Sequence, residues 1–130
     1  MKSDGAIKTD VYRYIKQSGF MKFVNGTLSK TKRPHNSHAE DVVVSILANE
    51  GTQLQTAVLN VNIYTQDLDV EGQFEENTIR LDEICGKAWE LLEKFNTDEY
   101  NAHAIEQRVY ATDSGEHVIN NQVEYKLIND

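Results

Sequence analysis

The pattern of hydrophobic and polar positions predicts two helices. In residues 7–18, apolar side chains recur at helical spacing, and Gly19 follows as a stop signal. Either Asp4 or Thr9 is the expected cap of this first helix. The second helix is predicted over residues 77–95, where the apolar stripe is the most regular in the chain. That stripe contains Ile79, Leu81, Ile84, Cys85, Ala88, Trp89, Leu92 and Phe95.

Strand patterns come in two pairs, one between the helices and one after them. Residues 41–47 are rich in β-branched side chains and are typical of a buried strand. A turn at residues 49–51 separates them from a second strand at 53–65, whose inner face carries Leu59, Val61 and Ile63. We therefore expect these two strands to form a hairpin.

The second pair covers residues 105–111 and 117–127, around a turn at 113–116. Its predicted inward residues are Ile105, Val109 and Ala111 on the first strand, and Ile119, Val123, Tyr125 and Leu127 on the second. The predicted order is therefore α-β-β-α-β-β. The fold class is α+β, with an antiparallel sheet of about four strands and two helices packed on one face. A length of 130 residues fits a single domain over 1–130.

The charge balance argues against nucleic-acid binding. Lys and Arg total 13 against 21 for Asp and Glu, which gives a net charge of −8. A surface of this sign repels phosphate backbones, so we expect no sequence-specific nucleic-acid partner. No apolar run approaches the roughly 20 residues that a membrane helix needs, and the first residues lack the apolar core of a signal peptide. We expect a cytoplasmic protein without a membrane partner.

The residues needed for catalysis do not occur in a recognisable arrangement. The glycines are scattered, so they form neither a phosphate loop nor a dinucleotide motif. Cys85 lies on the apolar stripe of the second helix, which indicates packing and not a reactive thiolate. Neither His103 nor His117 has a spacing that ties it to a nucleophile. The sequence therefore predicts a protein that is not an enzyme and has no cofactor.

Two loops contain residue types that bind metals, and they keep an alternative open. His35 and His38 lie three apart with Glu40 and Asp41 behind them, but no second Cys/His pair completes a zinc site. In the acidic segment 66–75, counted from Asp67, Gly72 at the sixth position fits a calcium loop, but Thr78 at the twelfth position does not. The alternative to a purely structural role is a small-ligand or metal-binding domain, or an enzyme, that uses the His35/His38 loop.

Several aromatic and loop residues are candidates for contact with partners. Three tyrosines are out of phase with the apolar positions around them, and we expect their side chains to be exposed: Tyr12, Tyr64 and Tyr110. Trp89 fits either a partner anchor or the core, and its apolar neighbours favour the core. The polar loop 27–39 and the acidic loop 66–75 are the most accessible segments predicted.

Several local motifs, in order along the chain, are similar to those of one phage family. They are Asp10-Val11-Tyr12-Arg13-Tyr14-Ile15, Lys32-Arg33-Pro34, Glu40-Asp41-Val42-Val43-Val44 and Val61-Asn62-Ile63-Tyr64, followed by the amphipathic helix 77–95 and a closing hairpin. In this order of elements the chain resembles the tail-terminator and tail-completion (head–tail joining) proteins of long-tailed bacteriophages. The resemblance spans nearly the whole chain.

The resemblance implies a non-enzymatic subunit of a homo-oligomeric ring, usually a hexamer. Such a ring ends the polymerisation of the tail tube or joins the tail to the head, and its partners are tail-tube and neck proteins. The protein would then lie in the cytoplasm of the bacterial host and later in the virion. The candidate interface residues are Lys32, Arg33, His35, His38, Tyr64, Asp67, Asp69 and Tyr110.

Overall fold

The computed structural model describes residues 1–51 and 54–128, which form a curled sheet covered by two helices. The helices are α1 (Asp4–Ser18) and α2 (Thr78–Leu92), with a short 3-10 turn at Phe20–Lys22. The strands in chain order are β1 (Leu28–Lys30), β2 (Val42–Gly51), β3 (Gln55–Gln66), β4 (Leu68–Val70), β5 (Gln73–Glu75), β6 (Phe95–Asn96), β7 (Tyr100–Ala111) and β8 (Glu116–Leu127).

The predicted fold class is wrong. Six strands form a mixed sheet in the order β1-β2-β3-β8-β7-β6, and β4 and β5 form a second, two-stranded sheet. The order of elements is therefore not α-β-β-α-β-β, and the sheet is not purely antiparallel, because β1 pairs parallel to β2. The additional strands have only two or three residues each. Backbone pairing creates them inside segments whose polar composition is typical of loops.

Both predicted hairpins are confirmed. β2 pairs antiparallel with β3, and β7 pairs antiparallel with β8. However, β2 continues to Gly51, which pairs with Gln55, so the turn predicted at 49–51 is wrong. The predicted start of the next strand, Gln53, lies outside the described residues. Leu59, Val61 and Ile63 point into the core as expected.

The predicted start and inner face of β7 are wrong. The strand begins at Tyr100, and Ala102 and Ala104 are the residues buried in the core. The pairing with β8 shifts between Ala104 and Glu106, which makes Ile105 the extra residue of a β-bulge. Ile105 is therefore 46% exposed, although its position predicted burial. Val109 shares the face of its partner Ile119 as predicted but is 42% exposed, and Ala111 is exposed as well. Alternation alone does not reveal a bulge.

The helices are confirmed, with corrections at their ends. Helix α1 begins at Asp4 because the Ser3 hydroxyl accepts a hydrogen bond from the amide of Ala6, so neither predicted cap is used. Helix α2 is capped by Asn77, whose side chain accepts a hydrogen bond from the amide of Arg80, and it ends at Leu92, three residues before the predicted end. Ile79 lies in the first turn of α2 and its side chain is exposed, so its predicted place on the apolar stripe is wrong.

The core lies between the helices and one face of the large sheet. Helix α1 contributes Ile7, Val11 and Ile15, and helix α2 contributes Leu81, Ile84, Ala88 and Leu92. Cys85 and Trp89 are half-buried and pack against this core, as the apolar stripe predicted. Burial raises the pKa of the Cys85 thiol, and the nearby Asp82 and Glu76 carboxylates raise it further. This thiol is therefore less ionised than an ordinary cysteine.

A buried amide pair connects the sheet to helix α2. The side chain of Asn121 is fully buried and donates to the backbone carbonyl of Val61. Its own carbonyl accepts from Gln107, at 2.8 Å, and Gln107 also donates to the carbonyl of Cys85, at 3.0 Å. Buried polar groups need such partners, because each one left unpaired costs about 1–3 kcal/mol.

Gly26 packs against the backbone just before the start of β2, and this close approach can be tested. A Cβ atom at Gly26 would collide with the backbone of Glu40 and Asp41, which belong to a rigid segment. Gly26→Ala should therefore lower the free energy of unfolding by about 1–3 kcal/mol. Urea unfolding followed by circular dichroism measures this change.

Gly86 provides the matched control. It lies inside α2, and a Cβ added there meets nothing within 4 Å. Because alanine favours a helix over glycine, Gly86→Ala should raise the free energy of unfolding by up to about 1 kcal/mol. Equal effects of the two substitutions would contradict the close approach at Gly26.

Candidate interaction surfaces

The side chain of Arg33 lies at the centre of an ion-pair network on the face of the sheet opposite the helices. Its Nε donates to Asp41, at 2.6 Å, and its terminal nitrogens donate to both carboxylate oxygens of Glu116, at 2.9 and 2.7 Å. The guanidinium also lies 4.1 Å from the ring centroid of Tyr64. Arg33 and Tyr64, two predicted interface residues, therefore contact each other inside the subunit.

Glu40, the residue before Asp41, forms a second ion pair with helix α2. Arg80 donates from Nε and a terminal nitrogen to the two oxygens of Glu40, at 2.7 and 2.8 Å. The hydrogen bonds from Arg80 lower the pKa of Glu40, although burial acts in the opposite direction. For Asp41, burial would raise the pKa, but hydrogen bonds from Ser37 and Arg33 more than offset it, so the pKa is lowered.

The network of Arg33 predicts a stability change that depends on pH. Arg33→Met leaves the buried carboxylates of Asp41 and Glu116 without a cation, which should cost about 3–5 kcal/mol at neutral pH. In the folded protein the pKa of Asp41 lies below its ordinary value of 3.8. The ionised carboxylate therefore adds to the free energy of unfolding above about pH 3.8, and this stabilisation is lost as the pH falls through the folded pKa.

The deficit of Arg33→Met relative to wild type should therefore shrink below about pH 4. Chemical unfolding across the pH range measures it. The exposed neighbour Lys32 is the control, and Lys32→Met should change stability by less than about 0.5 kcal/mol. A deficit that does not change with pH would contradict the role of the carboxylates.

The other predicted residues of loop 27–39 lie on the surface. Lys32, His35 and His38 are exposed. Within residues 1–51 and 54–128, no group of three or more His, Cys, Asp or Glu side chains is arranged to hold a metal ion. His35 and His38 are thus not brought together with acidic side chains into a ligand set in this part of the chain.

The acidic segment after β3 forms a small hairpin instead of a loop. β4 and β5 pair through a two-residue turn at Glu71 and Gly72, both with positive φ, which is typical of tight hairpins. We call residues 67–76 the acidic arm. It contains no Lys or Arg, and its carboxylates belong to Asp67, Asp69, Glu71, Glu75 and Glu76.

The acidic arm also carries exposed apolar side chains. Cross-strand pairing places Leu68 opposite Glu75 and Asp69 opposite Phe74. Since paired residues share a face, Leu68 and Val70 lie on one face of the hairpin and Phe74 on the other. Phe74 lies against Gly115 in the β7–β8 turn but is still 61% exposed, and Leu68 and Val70 are 47% and 44% exposed. Both faces of the hairpin therefore carry exposed apolar side chains.

His117 joins the two ends of the acidic arm. Its Nδ1 lies 2.6 Å from Asp67, just before β4, and its Nε2 lies 3.7 Å from Glu76, just after β5. The amide of Asp67 also donates to the carbonyl of Gly115, at 3.0 Å. These contacts hold both strands of the hairpin at the end of the sheet.

Removal of the imidazole should loosen the acidic arm without unfolding the domain. In His117→Ala, the amides of residues 67–76 should exchange hydrogen at least about tenfold faster, while those of β3 and β8 keep their protection. Hydrogen-exchange mass spectrometry measures both regions. His103→Ala, at an exposed position of β7, is the control and should leave the exchange of the arm unchanged. Unchanged exchange in His117→Ala would refute this role of His117.

The outer side of α1 and β1 carries a cluster of positive charge. We call it the basic face, and it consists of Lys8, Arg13, Lys16, Lys30 and Lys32. The Nζ of Lys30 donates to the hydroxyl of Thr9, at 3.1 Å, and lies 5.4 Å from the ring centroid of Tyr12. A cleft of about 580 Å³ opens here, lined by Thr9, Tyr12, Arg13, Lys16, Gln17 and Lys30.

The edge of β7 is a third accessible feature. Beyond Ala102, where β6 ends its pairing, the outer edge of β7 pairs with no strand of the described segments. Tyr110 lies near the end of this edge and is 48% exposed, as its predicted role at an interface requires. An open edge offers unpaired backbone groups to another chain.

Sequence reasoning located the acidic segment but missed the basic face. Lys30 and Lys32 lie in the predicted polar loop 27–39, and Arg13 and Lys16 lie between the apolar positions of the first predicted helix. The pairing of β1 with β2 places β1 beside α1, and this brings the lysines of the loop next to the cations of the helix. The helical phase of Arg13 and Lys16 was the one available signal, because both lie on the side of α1 away from the core, whereas Lys8 flanks the buried stripe.

Comparisons with known proteins add no family to these observations. Neither a scan against protein-family models nor a search of curated proteins finds a match for this chain. Across the two segments that the structure describes, no helix has both the length and the apolar character to cross a membrane.

Proposed function

We propose that the protein is a non-enzymatic subunit of a ring in a phage or prophage tail or neck, where it ends tube polymerisation or joins tail to head. The observation that carries this proposal is the presence of two unlike, oppositely charged surfaces on one chain. All charged residues of the acidic arm are carboxylates, and the basic face is defined by lysine and arginine side chains. Partners of this subunit would be further copies of itself and tail-tube or neck proteins.

Two unlike surfaces fit a head-to-tail ring. A head-to-tail contact joins unlike patches, and it produces a closed ring when the rotation between subunits closes. A two-fold dimer can also pair each arm with the basic face of the other copy, so the size of the assembly distinguishes the two arrangements. The open edge of β7 offers a further contact between neighbouring subunits.

The resemblance to tail-terminator and tail-completion proteins supplies the identity of the ring. The motifs behind it lie in the structure close to the proposed surfaces. Tyr12 and Arg13 line the cleft of the basic face, and Lys32 belongs to that face. Tyr64 lies two residues before Gln66, where β3 ends and leads into the acidic arm.

Self-association should depend on concentration and on salt. Sedimentation velocity of the purified protein should show oligomers whose population grows with concentration. The oligomers should weaken strongly at about 1 M salt, where charges are screened beyond ~3 Å. Negative-stain microscopy should show rings, alone or with the tail-tube protein encoded near this chain. Neighbouring genes for portal, capsid or tail-tube proteins would support the same assignment.

A species that stays monomeric at high concentration and does not respond to tail-tube protein would overturn the proposal. Both measurements are needed, with and without tail-tube protein, since a ring subunit can stay monomeric until it meets the tube. An oligomer that is equally stable at low and high salt would overturn the role of the charged surfaces.

A further inference from the structure

We infer that the acidic arm of one copy docks on the basic face of a second copy, beside Tyr12. The inference rests on the proposed ring function, because it names the contact that would join neighbouring subunits. Within the described residues, the tip of the arm and the cations of the basic face form no ion pair, and each surface combines charge with apolar area.

The carboxylates at the tip of the arm are unpaired. In the part of the chain that the structure describes, Asp67 and Glu76 face His117, while Asp69, Glu71 and Glu75 take part in no ion pair. Asp69 accepts only the amide of Gly72 within the turn, at 3.0 Å. Three negative charges are thus available to a cation from outside the subunit.

The cations of the basic face are also unpaired. Among residues 1–51 and 54–128, no carboxylate forms an ion pair with Arg13, Lys16 or Lys30. The contacts of Lys30 are with a hydroxyl and an aromatic ring. Arg13 also lines a second pocket together with Asp10, Asp98 and Glu99, so the cleft beside Tyr12 owes its positive charge chiefly to Lys16 and Lys30. In a chain of net charge −8 these cations attract acidic surface, and the acidic arm is the acidic hairpin that every copy carries.

The apolar parts of the two surfaces also match. Leu68 and Val70 lie on one face of the arm together with Glu75. The cleft of the basic face offers the ring of Tyr12 and the aliphatic stems of Lys16 and Lys30. Lysine stems cover apolar surface while their charged ends reach a carboxylate. Docking would therefore bury apolar area and pair charges at the same time.

The arm does not occupy the basic face of its own subunit. Phe74 and Asp67 hold it against the β7–β8 turn, and no residue of the arm lines the cleft beside Tyr12. A second copy is the occupant that we propose, because every copy carries both surfaces.

Charge reversal on each side tests this contact. Glu71→Lys/Glu75→Lys reverses exposed charges on the arm, and Arg13→Glu/Lys16→Glu reverses exposed charges on the basic face. Each double variant alone should raise the dissociation constant of self-association at least about tenfold, because like charges then meet. An equimolar mixture of the two should assemble again, since each arm then finds an oppositely charged face.

The matched control is Glu90→Lys/Glu93→Lys at the end of α2. It changes the net charge by the same amount as the arm variant, at exposed positions that belong to neither surface. It should associate like wild type. Zero-length carbodiimide cross-linking followed by mass spectrometry should join Glu71 or Glu75 to Lys16 or Lys30 in wild-type oligomers. All proteins are examined alone and with tail-tube protein.

The possible outcomes separate this contact from the proposed function. Rings that persist in both charge-reversed variants, with cross-links elsewhere, would overturn the docking and leave the ring function standing. Open oligomers with arm-to-face cross-links, but no ring and no response to tail-tube protein, would support the docking and overturn the ring function. A strict monomer under all conditions would overturn both. Capture of polyanions by the basic face with no cross-link between copies would also overturn the docking.

Discussion

Two consecutive carboxylates at the start of β2 hold the opposite sides of the domain together. Glu40 binds Arg80 of helix α2, and Asp41 binds Arg33, which lies on the other face of the sheet. Successive side chains of an extended segment point to opposite faces, so two adjacent residues can anchor both layers. Since buried ion pairs tolerate little change in geometry, this segment fixes where the polar loop, β1 and helix α2 lie.

The accessible surfaces follow from this arrangement. Because Arg33 is bound internally, the loop that carries it folds over Tyr64, and the charge left for partners lies on α1 and β1. At the same end of the sheet, Glu116 binds Arg33 while its neighbour His117 binds the acidic arm. Internal ion pairs thus fix the positions of both charged surfaces without neutralising them.

The sequence predicted the long elements well and the short ones poorly. Both helices and both hairpins follow from periodicity, because long amphipathic segments must bury one face. The three-residue strand β1 and the two-residue strand β6 have no such pattern, since backbone pairing holds them. The internal role of Arg33 depends on Glu116, 83 positions away, and no local pattern indicates a contact of that range. The acidic arm was visible as composition but not as a hairpin.

The bulge at Ile105 has a consequence for how the sheet can grow. A strand that adds to an open edge needs an uninterrupted row of backbone groups, and an extra residue breaks that row and increases the local twist. The edge of β7 is therefore divided into short segments on either side of the bulge. A neighbouring chain can add a few backbone hydrogen bonds there, but continuous cross-β stacking of many copies is disfavoured. The domain can thus keep an accessible edge without the aggregation that a long flat edge invites.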